Sequence, residues 1–467
     1  MKYYNIKKKV MKIVMVPYPA QGHVTPMLKL ASAFLNLGLQ PVLIIPEFIY
    51  LRIQTSLDPN TQISWIPIPD GLELDSPRDF FAIEYAMENN MPLHLERLIR
   101  DLNQDGGIAC MVVDLLASWA IQVAHRFRIP AAGFWPAMLA TYCLIAAIPD
   151  FIQAGYISDT GCPQHIEKAR FFPKQPVLST EDLPWLIGSP ASRKSRFKFW
   201  TRTLDRSTSL KWLLVNSFPE EHYIDIKQQY CQLIESSLVQ VPHVYPVGPL
   251  SNKHAILTKN PSFWEEDTGC LEWLNEQNPN SVIYISFGSW VSPIGEAKVR
   301  NLALSLEALG LKFIWVLGFG WREGLPCGFL ERVSNSKQGK VVSWAPQIKV
   351  LQHKAVGCYL THCGWNSTIE AIESQKRLLC YPIAGDQFVN CAHIVKIWKI
   401  GVKLNGFGKK DIEEGMKRAM EDSEMKNRLM RLHMRITGEE AKSRVISNLT
   451  AFVDDLNNLI NLSTQGC

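Results

Sequence analysis

The segment WAPQIKVLQHKAVGCYLTHCGWNSTIEAIESQKRLLCYPIAGDQ, residues 344–387, contains the pattern that decides the fold. An apolar run at Val356–Thr361 predicts a buried strand, and a helix is expected after the turn that ends at Gly364. A second apolar run, Leu378–Tyr381, predicts another strand. The order strand, helix, strand is typical of parallel strands in a doubly wound α/β sheet.

The same alternation occurs in both halves of the chain. In the first half, a helix is predicted from Val24 onwards, and strands are predicted at Lys12–Pro17, Pro41–Pro46, Cys110–Val113 and Pro130–Trp135. In the second half, further strands are predicted at Val282–Phe287, Phe313–Leu317 and Lys340–Ser343. We therefore predict an α/β protein with two facing Rossmann-like domains and a ligand cleft between them, where the carboxyl ends of the strands lie.

Residues 1–10 are predicted to be a flexible extension, and residues 11–248 the first Rossmann-like domain. The irregular stretch 249–262 is expected to be a linker, and residues 263–445 the second domain. Residues 446–467 are expected to form a C-terminal helix and tail that pack back on the first domain.

Composition excludes several classes of function. The 49 basic and 44 acidic residues leave a net charge of +5, too weak over 467 residues to indicate a nucleic-acid-binding protein. No apolar stretch reaches the ~18 residues needed to span a bilayer. The eleven cysteines form no C-x-x-C pair and follow no signal peptide, which favours reduced thiols and a cytoplasmic location.

The turn between the strand 356–361 and the following helix has the features of a phosphate site. A helix N-terminus presents free N–H groups and positive potential, and His362, Asn366 and Ser367 can add donors. Glu370, one turn into the helix, could accept hydrogen bonds from ribose hydroxyls.

Structural explanations exist for the same residues. Ser367 and Glu370 have the spacing of a capping box, which needs no ligand. Trp344 could offer a ring face to a base, or it and Trp365 could be core aromatics.

A second candidate site combines His23 with Asp114. His23 follows a strand and a turn of small residues, so we expect it near a helix N-terminus, where the dipole favours a neutral imidazole suited to a general base. Asp114 ends a predicted strand, at the edge where parallel sheets bind ligands. The alternatives are a histidine that only caps the helix or is merely exposed on its loop, and an aspartate that only caps the next helix.

These motifs resemble those of the UDP-dependent glycosyltransferases of plant specialised metabolism, over nearly the whole chain. The segment 344–387 is similar to their donor-binding signature, the plant secondary product glycosyltransferase box. The matching elements are Trp344–Gln347, His353, Thr361–Ser367, Glu370, Pro382, Asp386–Gln387 and, outside the box, Pro17–His23, Pro246–Leu250 and Ser286–Ser289.

The resemblance implies the GT-B-type architecture and a role for each matching residue. Trp344 would stack on uracil, while the Ala345 backbone would bond the base edge. The ribose would be held by Gln347 and Glu370. The other implied contacts are with the diphosphate (Ser289, His362, Gly364, Asn366, Ser367) and with the sugar hydroxyls (Trp365, Asp386, Gln387).

The resemblance also implies the reaction. His23, oriented by Asp114, would take the proton from a hydroxyl of a small lipophilic acceptor, and the oxygen would displace UDP with inversion at the sugar carbon. The implied donor is UDP-glucose, as co-substrate, with no cofactor, no metal ligand and a monomeric chain. The alternatives are a UDP-sugar-binding protein without turnover, against which both His23 and Asp114 argue, and a nicotinamide-dependent dehydrogenase. No G-x-G-x-x-G follows the first strand, which argues against the dehydrogenase.

Three positions depart from the family pattern. The usual Gly-Val-Pro is replaced by Gln375–Arg377, the usual Trp by Tyr381, and a common Ser or Thr near the sugar by Pro136. The acceptor is expected against aromatic-rich loops of the first domain, whose rings could equally be core anchors. Those segments are Tyr50, Phe80–Met91, Phe134–Tyr142 and Pro184–Phe199.

Overall fold

The structure is a computed structural model that describes residues 11–58, 60–73, 77–104, 107–172, 175–218, 242–250, 262–289 and 294–465. The predicted extension 1–10 and most of the predicted linker, 251–261, lie outside the described residues. The chain divides into two compact units. The first comprises 1–139, 199–263 and 443–467, and the second comprises 140–198 and 264–442.

The first part of the chain alternates strands with helices. The strands are β1 (Lys12–Val16), β2 (Gln40–Pro46), β3 (Ser64–Ile68), β4 (Ile108–Asp114), β5 (Ala131–Trp135), β6 (Lys168–Ala169), β7 (Leu178–Ser179), β8 (Trp212–Val215) and β9 (His243–Pro246). The helices are α1 (Gln21–Asn36), α2 (Glu47–Ile53), α3 (Phe80–Asn89), α4 (Met91–Gln104), α5 (Trp119–Arg126), α6 (Leu139–Ala146), α7 (Ile148–Gln153) and α8 (Pro190–Ser207).

Seven of these strands form one parallel sheet in the order β3-β2-β1-β4-β5-β8-β9. The register pairs Val16 of β1 with Val113 of β4. The chain winds from β1 towards β3 and then returns to place β4 on the other side of β1. In sheets of this kind ligands bind at the carboxyl ends of the strands where the winding reverses, which here are β1 and β4.

The second part continues with six strands. They are β10 (Val282–Ser286), β11 (Lys312–Val316), β12 (Gly339–Val342), β13 (Val356–Thr361), β14 (Arg377–Cys380) and β15 (Gly401–Lys403). The helices are α9 (Gly269–Asn275), α10 (Glu296–Ala308), α11 (Phe329–Asn335), α12 (Gln347–Gln352), α13 (Trp365–Glu373), α14 (Gln387–Ala392), α15 (Lys409–Glu421), α16 (Ser423–Thr437) and α17 (Glu439–Gln465).

The second sheet is also parallel and has the order β12-β11-β10-β13-β14-β15. Its winding direction changes between β10 and β13, which makes the carboxyl ends of these two strands the corresponding ligand position. The prediction of an α/β fold with two Rossmann-like domains is confirmed by these two sheets.

All nine predicted strands are present, with bounds shifted by no more than two residues at either end. The strands that sequence patterns missed include β3, β9 and β15, which lie at sheet edges, and β8, which lies beside β9. β3 also contains Pro67, which a strand tolerates at an edge because one side of its backbone needs no ladder hydrogen bond. This proline and the half-burial of four of the five residues leave β3 without a clear apolar pattern.

The C-terminal helix α17 completes the core of the first unit. Phe452 is fully buried, and its ring contacts those of Phe34, Trp212 and Tyr245 at centroid distances of 5.9, 5.6 and 5.9 Å. Aromatic pairs at such distances contribute ~0.5–1.5 kcal/mol each beyond their buried area. Asn448 also donates to the Pro246 carbonyl oxygen at 2.7 Å. Among the described helices, none combines the length and the apolar character needed to cross a membrane.

The end of α13 explains one departure from the family pattern. The Gln375 N–H donates to the Ile372 carbonyl and the Lys376 N–H to the Ala371 carbonyl, the two bonds of a Schellman motif. This motif needs a left-handed residue, and Gln375 has a φ of 53°. Glycine is the residue that takes this conformation without strain.

The side chain of Lys376 reaches the residues around the start of β13. It is buried, and its Nζ donates to the carbonyl oxygens of Val356 at 2.7 Å and His353 at 3.1 Å. Burial lowers the pKa of Lys376, so these two carbonyls hold an ammonium group that has lost most of its water. The side chain thus joins the helix end to the start of β13.

We expect Gln375→Gly to raise the melting temperature, because glycine removes ~1 kcal/mol of left-handed strain at an exposed position. Gln375→Ala is the matched control, since alanine keeps the Cβ that causes the strain and should leave the melting temperature close to wild type. Thermal denaturation of the three proteins tests this. A lower melting temperature in Gln375→Gly would contradict the strain argument.

Candidate active site

The predicted pair of His23 and Asp114 lies at the carboxyl ends of β1 and β4. His23 is the third residue of α1, as expected from the turn of small residues, and Asp114 is the last residue of β4. The His23 Nδ1 and Asp114 Oδ2 atoms are 2.7 Å apart, although 91 positions separate the residues in the chain. Adjacent parallel strands thus bring together two residues that no local motif connects.

Burial distinguishes the two partners. The Asp114 side chain is fully buried, whereas the His23 side chain is 22% exposed. An ionised carboxylate can only accept, so this contact holds the proton of neutral His23 on Nδ1 and leaves Nε2 as the basic atom. The other oxygen of Asp114, Oδ1, accepts the Leu116 N–H at 2.9 Å. Asp114 therefore caps the next turn and also orients His23, which unites the two roles considered from the sequence.

The predicted phosphate turn lies at the corresponding position of the second sheet, the carboxyl ends of β10 and β13. Thr361 ends β13, Cys363 takes a left-handed φ of 67°, and α13 begins at Trp365 with Gly364 as its N-cap. The N-cap residue, Gly364, offers no side chain to this helix end. Ser289 lies just beyond β10, the neighbouring strand.

His362 is confined between two glycines. A Cβ atom on Gly288 would lie 2.6 Å from His362 Nε2, and one on Gly364 would lie 2.5 Å from it. Gly288 also has a left-handed φ of 80°. Any larger residue at either position would displace the imidazole, so the two glycines define where this ring can lie.

Burial also sets the protonation state of His362. Loss of water lowers its pKa to about 4, with a smaller opposing contribution from the Ser286 backbone. The imidazole is therefore neutral near pH 7. Its buried Nδ1 has no well-aligned hydrogen-bond partner among the described residues. A buried polar atom of this kind costs free energy until a partner binds it.

The side chain of Gln347 makes four hydrogen bonds. Its Oε1 accepts from the hydroxyls of Tyr284 and Tyr359, at 3.1 and 3.2 Å. Its Nε2 donates to Ser367 Oγ at 3.1 Å and to Glu370 Oε2 at 2.7 Å. Burial raises the pKa of Tyr359 to about 12 and that of Tyr284 above its usual value, so both phenols remain protonated donors.

These bonds exclude the capping-box explanation of Ser367 and Glu370. A capping box requires Ser367 to be the N-cap, but the helix begins two residues earlier, at Trp365. Ser367 and Glu370 instead share Gln347 as a partner. The two tyrosines were missed in the sequence analysis because they occupy β10 and β13, where they read as ordinary core aromatics.

Trp344 follows β12 and stacks on Trp264, with ring centroids 4.6 Å apart and an angle of 27° between the planes. Both rings are half-buried, and the neighbouring Ala345 is buried. The Trp344 carbonyl accepts the Asp267 N–H at 3.1 Å. Trp264 was not singled out from the sequence, because it follows the linker without any recognisable motif.

Asp386 and Gln387 lie at the start of α14. Gln387 Oε1 accepts the N–H groups of Ile383 and Ala384, at 2.9 and 3.0 Å, so its carbonyl end holds the loop before the helix. Asp386 Oδ2 accepts from Asn390 Nδ2 at 2.8 Å, and the same amide group donates to the Cys363 carbonyl at 2.9 Å. Asn390 therefore ties this helix to the phosphate turn.

Aromatic rings in the expected acceptor loops pack largely on each other. Phe199 contacts Phe80 at 5.2 Å and Trp200 at 5.4 Å, and Trp200 contacts Trp135 at 6.0 Å. Phe199 and Trp135 are almost fully buried. These two rings therefore anchor the loops, as in the structural alternative.

Solved structures share the fold of this chain. The Medicago truncatula UGT71G1 complexed with UDP-glucose aligns with a TM-score of 0.78 at 24% identity, over 96% of this chain and 98% of that one. Phytolacca americana UGT2 complexed with UDP-2fluoro-glucose and pterostilbene aligns with a TM-score of 0.76 at 23% identity, over 96% of this chain and 100% of that one. The fold is the GT-B-type fold of nucleotide-sugar transferases.

Sequence comparisons identify the family. Residues 196–437 match the family of UDP-glucoronosyl and UDP-glucosyl transferases. UDP-glycosyltransferase 82A1 of Arabidopsis thaliana is 54% identical over 458 residues, 96% of this chain and 98% of that protein. UDP-glycosyltransferase 83A1 of the same plant is 32% identical over 96% of this chain and 97% of that protein. The chain belongs to the UDP-glycosyltransferase family, and the resemblance noted from its motifs is confirmed.

The lowered pKa of His362 predicts a pH dependence of stability. Between pH 6.5 and about 4, His362 binds a proton in the unfolded chain but not in the folded chain. The free energy of unfolding should therefore fall as pH decreases through this range. Over this range the free energy of unfolding of wild type should fall by roughly 3 kcal/mol more than that of His362→Gln. Denaturant unfolding at several pH values measures this difference, in which all other titrating groups cancel. Parallel curves would contradict a buried neutral His362.

Proposed function

We propose that this UDP-glycosyltransferase transfers glucose from UDP-glucose to a hydroxyl of a small lipophilic acceptor, with inversion at the sugar carbon. The observation that carries the proposal is the 2.7 Å contact between His23 Nδ1 and the buried Asp114 carboxylate. This contact supports a base at Nε2 and a fixed negative charge behind it.

In the proposed reaction, His23 Nε2 removes the acceptor hydroxyl proton as the oxygen attacks the anomeric carbon. The bond to UDP breaks on the opposite face, so an α-linked donor yields a β-glycoside. Asp114 stabilises the imidazolium that forms, since an opposite charge 2.7 Å away favours the protonated ring. A positioned general base of this kind contributes ~10²–10⁴-fold to the rate.

The proposed donor site lies in the second unit. The diphosphate binds at the N-terminus of α13, where the helix dipole and the donors Ser289, His362, Asn366 and Ser367 stabilise the charge that develops on UDP. The mechanism invokes no metal ion or other cofactor, because the helix dipole and these donors take the role of a counter-charge. The position of His362 supports this role, because its Nε2 would lie 2.5 Å from a Cβ atom on Gly364, the N-cap of the same helix.

The nucleoside is proposed to lie against Trp344, with the ribose at Glu370 and Gln347. The hydrogen bonds from Tyr284 and Tyr359 support this arrangement, because they keep Gln347 pointing at Glu370 in the absence of ligand. Sites that are oriented before binding lose less conformational freedom when the ligand arrives.

The identity of the sugar rests on Trp365, Asp386 and Gln387 and on the relatives. The Medicago structure was solved with UDP-glucose and the Phytolacca structure with UDP-2fluoro-glucose, both in the same fold. The small acceptor is proposed by the same comparison, in which pterostilbene is bound to the Phytolacca protein.

A donor panel of UDP-glucose, UDP-galactose and UDP-xylose, with product detection by mass spectrometry, tests the proposal. A higher kcat/KM with either other sugar, across several acceptors, would contradict it.

We expect His23→Ala to lower kcat by ~10²–10⁴-fold and to leave UDP affinity unchanged, because the proposed donor residues lie in the other unit. Asp114→Asn is the second variant, which separates the effect on the rate from an effect on stability. Its amide oxygen can still cap Leu116, so the melting temperature should change little while kcat falls. Steady-state kinetics and calorimetry with UDP measure these effects. Normal turnover in His23→Ala with a neutral alcohol acceptor would refute His23 as the base.

We expect Trp344→Ala to weaken UDP binding by ~1–3 kcal/mol, the usual range for loss of a base-stacking ring. Trp264→Ala should weaken it less, because it removes only the ring that supports Trp344, and Trp264→Phe should keep near-normal affinity as the matched control. Calorimetric titration with UDP compares the three variants. A gain of affinity in Trp264→Ala would mean that Trp264 covers the face intended for the base.

A further inference from the structure

Three buried cysteines that the proposed reaction does not use meet beside the phosphate turn. The Sγ atoms of Cys363, Cys380 and Cys391 all lie within 4.8 Å of one another. The exposed fractions of the three residues are 0%, 0% and 3%. Sequence spacing gave no sign of this group, because it contains no C-x-x-C pair and its members come from three different elements.

The backbone holds the three thiols in place. Cys380 ends β14 and pairs in register with Thr361 of β13, and Cys363 follows Thr361 after the strand ends. Cys363 N–H donates to Thr361 Oγ1 at 3.0 Å, which supports its left-handed conformation. Cys391 lies on α14, and the neighbouring Asn390 donates a hydrogen bond from Nδ2 to the Cys363 carbonyl. The group is therefore built by rigid elements, as a ligand site requires.

The separations suit coordination by sulfur. Three thiolates around one metal ion stand ~4 Å apart when each metal–sulfur bond is ~2.3 Å long. Hydrogen bonds join the Cys391 thiol to those of Cys363 and Cys380, and the positive charges of Lys403 and Lys396 lie near enough to interact with it.

We propose that Cys363, Cys380 and Cys391 form a three-coordinate site for a soft monovalent cation, Cu(I). Thiolates select soft cations such as Cu(I) and Zn(II), but structural Zn(II) almost always takes four ligands. Among the described residues, the group of histidine, cysteine and carboxylate ligands at this position consists of the three thiols alone. A fourth ligand from water is disfavoured because all three cysteines are buried.

Binding exchanges protons for the metal ion without any change of oxidation state. Cu(I) forms three bonds to sulfur, and the three thiols release their protons to solvent. The product is a copper tris-thiolate of charge −2. Lys396 and Lys403 offset part of this charge. An occupied site joins the phosphate turn, β14 and α14 through one ion.

The test uses the reduced, full-length protein with Cu(I) and a chromogenic Cu(I) chelator as competitor, under anaerobic conditions. Wild type should retain one equivalent of Cu(I). Cys391→Ala and Cys380→Ala should each weaken retention by more than ~100-fold, since loss of an outer partner alone costs ~10–100-fold. Cys358→Ala is the matched control, because Cys358 is equally buried in β13 but lies outside the group, and it should retain copper like wild type.

A spectroscopic measurement on wild type covers the case in which a variant does not fold. X-ray absorption of the copper-loaded protein should show three sulfur neighbours and no nitrogen or oxygen neighbour. Loss of all copper to the chelator, an equal loss in Cys358→Ala, or preferential retention of Zn(II) from an equimolar mixture would overturn the proposal. No UDP-sugar or acceptor is present, so the result is independent of the proposed transfer reaction.

Discussion

The change of winding direction in each parallel sheet is the constraint on which the rest of the structure depends. Helices that cross on either side of such a point leave the carboxyl ends of two neighbouring strands uncovered. In the first sheet these strands are β1 and β4, which bring His23 to Asp114. In the second they are β10 and β13, which bring Gly288 to His362. Both candidate sites are therefore consequences of strand order.

Close packing then determines the chemistry of the second site. Gly288 and Gly364 leave the space that the His362 ring occupies, and burial keeps that ring neutral. The Tyr284 and Tyr359 hydroxyls, protonated because they are buried, fix which end of the Gln347 amide faces Glu370. In both cases loss of water selects one protonation state, and that state decides which atoms donate and which accept.

Departures from the family pattern are absorbed locally. Gln375 keeps the left-handed backbone that the end of α13 needs, so the Schellman bonds survive without glycine. Lys376 points into the interior, where it joins His353 and Val356. The strain is confined to an exposed residue at the end of the helix opposite the phosphate turn. A helix terminus can therefore change its sequence while the start of the same helix keeps its geometry.

The sequence by itself determined nine of the strands, the Rossmann-like class, the family and the places of His23, Asp114 and the turn at His362, because periodicity and motifs are local properties. It left the edge strands β3, β9 and β15 unseen, since each mixes buried residues with exposed or half-buried ones and forms no continuous apolar run. Only the tertiary structure decided that Ser367 and Glu370 bind Gln347 instead of capping α13, that Trp264 supports Trp344, and that three distant cysteines meet. These are contacts between elements, and strand order and packing, which no local pattern encodes, determine which elements become neighbours.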